Sequence, residues 1–189
     1  DLKSLGMISD AQWADTDDDG DEDLVVVGEW MPITIFENQN GQFIKSTISN
    51  SNGWWNCLQK GDFNADGRPD FLIGNHGLNS RFRTSEREPI KMFVNDFDQN
   101  GSAEQIIARY EDGKLLPFTR RHDLVMQMPP MKKKYLRYNN YVGQTVDQVF
   151  TPEQLENALE LDVQTLSNTV LLSSDTGYQL HSLPRAAQT

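Results

Sequence analysis

Leu24, Val25, Val26 and Val27 open an apolar, β-branched run in "LVVVGEW", a pattern that predicts a buried strand rather than a surface one. Around it the polar and apolar positions divide residues 10–48 into four short extended segments: 10–14, 24–30, 33–37 and 42–48. The last two are joined by "NQNG", and an Asn-Gly pair between alternating strands is a strong hairpin cue. Four antiparallel strands in about forty residues is the size of one β-propeller blade.

A second unit begins the same way, with strands predicted at 54–61 and 71–74, but no hairpin follows in the next thirty residues. The missing pair arrives late: residues 168–184, "NTVLLSSDTGYQLHSLP", parallel residues 32–48, "PITIFENQNGQFIKSTI". Ala187-Gln188 then echoes Ala11-Gln12. The fold expected is therefore mainly β, a segment of a β-propeller with an insertion. Residues 1–78 carry the first blade and the start of the second, and 79–118 an inserted hairpin turning at Asp112-Gly113. Residues 119–166 form a helical insertion, and 167–189 complete the second blade and begin the next. Helical spacing over 119–128 and 131–141, and a Thr-Pro start at Thr151-Pro152, predict about three helices. The basic triplet Lys132-Lys133-Lys134 reads as a solvated helix face.

Between the first two strands of each unit lies an acidic loop. "DTDDDGDED" places Asp15, Asp17, Asp19 and Asp23 at positions 1, 3, 5 and 9, with Gly20 at position 6 and the carbonyl of Asp21 available at position 7. "DFNADGRPD" repeats this with Asp62, Asn64, Asp66, Arg68 and Asp70. "DFDQNGSAE" repeats it more loosely with Asp96, Asp98, Asn100, Ser102 and Glu104. Alternate residues of a curled loop can converge on one hard cation, which takes six to eight oxygens, while the glycine permits the turn. Coordination would convert the repulsion of so many carboxylates into attraction. An EF-hand would need flanking helices and a Glu at position 12, where this chain has Val26, Ile73 and Ile107. Strand–loop–strand sites for Ca²⁺ are expected instead, two in the first loops and a third in the looser one.

The chain has 189 residues and a formal charge of −11, from 17 basic and 28 acidic residues. The three loops hold seven, three and three of the acids, thirteen of the 28, so the acidity speaks of cations and argues against nucleic acid as a partner. No apolar run is long enough to cross a membrane. The single Cys57 reads as a small buried apolar residue in a strand. Weak calcium sites suit calcium-rich surroundings outside most cytoplasm, so an extracellular, periplasmic or cell-envelope location is expected, in a chain cut from a longer one.

The DxDxDGxxD loops, each leading into an apolar strand, resemble the FG-GAP or VCBS repeats of integrin-type β-propellers. "LVVVGEWMPITIFEN", "GWWN", "GNHGLNSR", "VNDFDQNG" and "LPRAAQ" resemble a subgroup of bacterial exported proteins with an ASPIC/UnbV region. The resemblance covers nearly the whole chain, insert included, although the ASPIC/UnbV segment itself is not recognisable. It implies a calcium-stabilised propeller, seven-bladed when complete, in a secreted or envelope-attached protein, with further blades as partners of this segment.

Two functions follow. The first is a non-enzymatic binding, adhesion or scaffold module whose partner is a protein or a glycan. The second is carbohydrate recognition, in a propeller attached to a polysaccharide-degrading enzyme, suggested by Trp54-Trp55 beside Asn52 and Asn56 with His76, Asn79 and Arg81 nearby in sequence. Catalysis within the segment is not expected. Neither G-x-S-x-G nor H-E-x-x-H occurs, His76, His122 and His181 are scattered, and Ca²⁺ activates water poorly.

Overall fold

The structure is a computed structural model that describes residues 5–188. Two compact units emerge. One comprises the described residues up to Glu86 together with those from Val163 onward, and the other is Arg87–Asp162.

The first unit contains two antiparallel sheets. One runs β1 (Met7–Ala14), β2 (Asp23–Met31), β3 (Thr34–Gln39), β4 (Gln42–Thr47), with the short β5 (Gly53–Trp54) paired to the far end of β2. The other contains β6 (Cys57–Gly61) and β7 (Asp70–Gly74), with β12 (Thr169–Leu172) and β13 (Gln179–Ser182) completing it in the order β13-β12-β7-β6. Each contains a four-stranded, blade-like meander, extended in the first sheet by β5, and the whole is mainly β, a β-propeller segment.

Side-chain alternation explains how the sheets meet. Val25 and Val27 of β2 and Ile33 and Ile35 join Leu58, Phe71, Ile73 and Leu171 of the second sheet in one buried core, with Trp55 fully buried among them. Val26 and Phe36 face the other way and are covered by Met31. β2 is thus apolar on both faces, as its unbroken run predicts. A Cβ on Gly53 would lie 2.3 Å from the Trp55 ring, so a residue without a side chain is required where that indole packs.

The hairpin turns form as read. Asn40 and Gly41 (φ 55° and 88°), and Asp112 and Gly113 (φ 51° and 71°), carry the positive dihedrals of a two-residue turn. Two readings are corrected. Cys57 is exposed, because strand alternation turns Leu58 to the core and its neighbour away from it. The stretch 54–61 is two strands, broken where Trp55 leaves β5 to enter the core. Lys132, Lys133 and Lys134 are exposed on α2 as read, and Lys134 Nζ in addition donates to the carbonyls of Gln148 and Val149, both at 2.8 Å.

The second unit has its own sheet, β10 (Lys114–Pro117), β9 (Glu104–Glu111), β8 (Ile90–Asn95), β11 (Leu159–Val163) in that order. The helices are shorter than the periodicity suggested: α1 (Arg121–Gln127), α2 (Met131–Lys134), α3 (Val146–Val149) and α4 (Pro152–Glu156). Pro129-Pro130 separates the first two, since a proline ring and its missing N–H do not continue a helix. Leu124, Met128, Tyr135, Tyr141, Val149 and Phe150 nevertheless close a core with Phe93, Phe97 and Ile106 of the sheet. Among the described residues no helix is long and apolar enough to cross a membrane.

Candidate metal centres

The three acidic loops join β1 to β2, β6 to β7 and β8 to β9. They share one backbone conformation. Position 4 is left-handed in each (Asp18, Ala65, Gln99, φ 62°, 61° and 59°), as is the glycine at position 6 (φ 94°, 86° and 90°). The first carboxylate holds that curl by accepting the glycine N–H: Asp15 from Gly20 at 3.0 Å, Asp62 from Gly67 at 3.0 Å, Asp96 from Gly101 at 2.8 Å. The side chain at position 5 accepts from the N–H at position 7: Asp19 from Asp21 (3.0 Å), Asp66 from Arg68 (2.9 Å), Asn100 from Ser102 (2.9 Å). Asp17 and Asn64, at position 3, accept from the N–H at position 5 (3.3 and 3.0 Å).

Position 9 behaves differently. Asp23 and Asp70 are fully buried and Glu104 nearly so. Each accepts the N–H at position 2, from Thr16, Phe63 and Phe97, all at 2.8 Å. The second oxygens of Asp23 and Asp70 accept the N–H of Asn38 and of Ser173, both at 2.7 Å. These two carboxylates therefore tie loop and third strand together, on top of any role toward a cation. Setting the turn glycines Gly41 and Gly177 opposite each other aligns Asn38 with Ser174, which hides the closing amides in the sequence. The ladders pair Leu24 with Phe36 and Phe71 with Leu171, making Asn38 the equivalent of Ser173, one residue off that alignment.

The cation-binding geometry appears at positions 1, 3 and 5 of the first loop and at positions 1, 3 and 9 of the third. In the first loop, ligand atoms of Asp15, Asp17 and Asp19 all lie within 4.8 Å of one another, and in the third loop those of Asp96, Asp98 and Glu104 do. Oxygens about 2.3–2.6 Å from one Ca²⁺ can be no farther apart than about 5 Å. Buried oxygens without a hydrogen-bond partner occur in the same two loops: Asp15 Oδ1, Asp21 Oδ1 and Asp98 Oδ1. A buried acceptor left unpaired is costly, and a cation would satisfy it. The residues present fit the ion.

Electrostatics separate the first loop from the second. Partial desolvation, with the charges of neighbouring aspartates, raises the Asp17 and Asp21 carboxyls above the ordinary range. Asp66 is instead lowered, chiefly by the Arg68 N–H and also by its guanidinium, whose Nη2 is 3.0 Å from Oδ2. With Asn64 at position 3, the second loop carries fewer carboxylates and one internal cation.

Of the aromatic pair read as a sugar platform, Trp55 is in the core and its indole donates to the Ser51 carbonyl at 2.9 Å. Trp54 is half-buried, stacked on His76 with centroids 4.9 Å apart.

Residues 15–73 match the model of the FG-GAP-like repeat, the span that runs from the first acidic loop to β7. No curated protein and no solved structure matches the chain.

Proposed function

We propose that this chain is a calcium-binding segment of a β-propeller in an exported bacterial protein, serving as a non-enzymatic binding, adhesion or scaffold module. The observation that carries it is the common loop frame, which converges three ligand groups in the first and third loops and leaves partnerless buried oxygens there. When bound, the ion would neutralise the carboxylates that converge on it. Asp15, Asp17 and Asp19 would hold it in the first loop, Asp62, Asn64 and Asp66 in the second, Asp96, Asp98 and Glu104 in the third.

Further blades are the partners this segment calls for. Leu72 occupies in the second sheet the place of Val25 in the first, yet Val25 is fully buried and Leu72 is 37% exposed. An apolar strand position left open on a sheet face is one that a neighbouring sheet would cover.

Equilibrium dialysis against calcium tests the reading. At least two ions should bind per chain, with magnesium a poor competitor because its octahedral shell tolerates a loop's flexible oxygens badly. No binding at millimolar calcium overturns it. Carbohydrate recognition is the second reading, favoured by the half-buried Trp54 with His76 and Phe82 around it.

A further inference from the structure

In the first unit, residues 78–84, the stretch 164–167 and the turn that includes Arg185 surround a cavity of about 890 Å³, within the size range of small-ligand sites. Its walls are fixed by hydrogen bonds. Gln188, 3% exposed, donates to Ser167 Oγ and to the Asn168 and Leu183 carbonyls (2.8, 3.0 and 2.9 Å) and accepts the Asn168 N–H at 2.8 Å. Gly77 N–H donates to the Leu166 carbonyl at 2.8 Å, and Leu78 N–H to the Gln188 carbonyl at 3.2 Å. Arg83 closes the bend at residues 80–83, Nη1 donating to the Ser80 and Phe82 carbonyls (2.5 and 2.6 Å).

Three features of the lining specify a ligand. First, in a chain of charge −11 the cavity carries Arg83 and Arg185 and no acidic residue. The Arg185 side chain is exposed and has no hydrogen-bond or ion-pair partner among the described residues. A guanidinium presents a planar fork that suits a carboxylate. Second, the remaining polar groups are neutral amides and hydroxyls, among them Asn79, Gln164, Ser167 and Ser182. Such groups both donate and accept, as a polyhydroxylated ligand requires.

Third, Phe82 supplies an aromatic wall, braced by Trp54 at 5.9 Å and His76 at 5.7 Å between centroids. Trp54 in turn meets Trp30 at 5.1 Å. Trp30 sits at φ 59° where the β2–β5 ladder shifts register. A bulky residue in the left-handed region is strained, and bulges of this kind re-aim side chains beside binding sites.

We propose that this cavity binds a sugar acid, its carboxylate on Arg185, its hydroxyls on the amide and hydroxyl wall, and its C–H face toward Phe82. The proposal rests on reading the segment as a binding module and is independent of whether the loops hold calcium.

Calorimetric titration of the full chain with galacturonic acid and with trigalacturonate, each against neutral galactose and galactotriose, tests it. Titrations are run in millimolar calcium and in chelator, with thermal melts of every sample. The sugar acid should bind at least about tenfold more tightly than its neutral counterpart. Arg185→Gln should lose about tenfold, the scale of one charged hydrogen bond, with an unchanged melt because that side chain is exposed and unpaired. Phe82→Ala should weaken acid and neutral sugar alike. Binding of the monomer equal to that of the trimer identifies a free sugar acid, and tighter trimer binding a polysaccharide end. The proposal is overturned by absence of binding in both buffers, by equal affinity for acid and neutral sugars, or by an unchanged affinity in Arg185→Gln. A melt insensitive to calcium overturns the metal reading alone.

Discussion

In the first two loops the carboxylates divide into two kinds, and substitution should separate them. Asp15 and Asp17 stand where an ion would be shared, so Asp15→Ala should lower the melting temperature more in millimolar calcium than in chelator, where only the hydrogen bond from Gly20 N–H is lost. A bound ion at a hundredfold excess over Kd contributes about 2.7 kcal/mol. Asp17→Asn should even raise the melting temperature in chelator, because it removes one of several mutually repelling charges. Asp70 is different: it is fully buried and accepts from Phe63, Asn64 and Ser173. Asp70→Ala should therefore cost about 2–3 kcal/mol in urea unfolding with or without calcium, since buried amides lose a charged acceptor. Tyr178 gives a pH dependence. Its hydroxyl donates to the Pro69 carbonyl at 2.9 Å, and burial pushes the phenol well above its ordinary value. A raised phenol favours the neutral form in the fold. Stability from this group is thus full below about pH 10, the unfolded value, and is lost as pH rises toward the folded one. Tyr178→Phe should flatten the alkaline limb of a stability–pH curve.

At the scale of elements, the sequence was most legible where local chemistry is strict. The two Asn-Gly and Asp-Gly hairpins, the acidic loops and α4 follow from turn dihedrals, ligand spacing and capping. Thr151 accepts from Gln154 N–H while the Gln154 side chain accepts from Thr151 N–H at 2.8 Å, with Pro152 opening the helix. Thr151→Ala should cost about 1 kcal/mol in chemical denaturation of the chain. Less legible was whatever depends on partners distant in sequence. Cys57 was placed in the core because a strand run alone does not say which of its two faces is buried. The glycine alignment slipped by one residue because the hairpins differ: Gln39 pairs with Gln42 across two residues, whereas Leu172 pairs with Gln179 across a longer turn. β11 escaped notice because "LELDV" follows a helix without a turn signal and pairs with β8, more than sixty residues earlier. In the second loop, the reading of Arg68 as a backbone-carbonyl donor did not include its guanidinium on Asp66, an i, i+2 contact that the loop's curl creates.

For the molecule as a whole, the second sheet is assembled across a long excursion of the chain. β7 pairs directly with β12, Ile73 opposite Thr169, and the Thr84 hydroxyl donates to the Val163 carbonyl near the two ends of the intervening unit. Replacing residues 87–162 with a short Gly/Ser linker should therefore leave a folded two-sheet protein by circular dichroism, retaining the calcium response of the first loop. Leu72 is 37% exposed, so Leu72→Ala should cost less than the roughly 2–5 kcal/mol of a fully buried leucine. The measurement that bears most directly on the whole account is thermal unfolding of the chain as calcium is raised from chelator to ~10 mM, past the range of weak extracellular sites, with magnesium in parallel. A calcium-selective rise in melting temperature, abolished in part by Asp15→Ala, is the predicted result. A melting temperature indifferent to calcium would mean the acidic loops are turns held by their own hydrogen bonds, and would contradict the account.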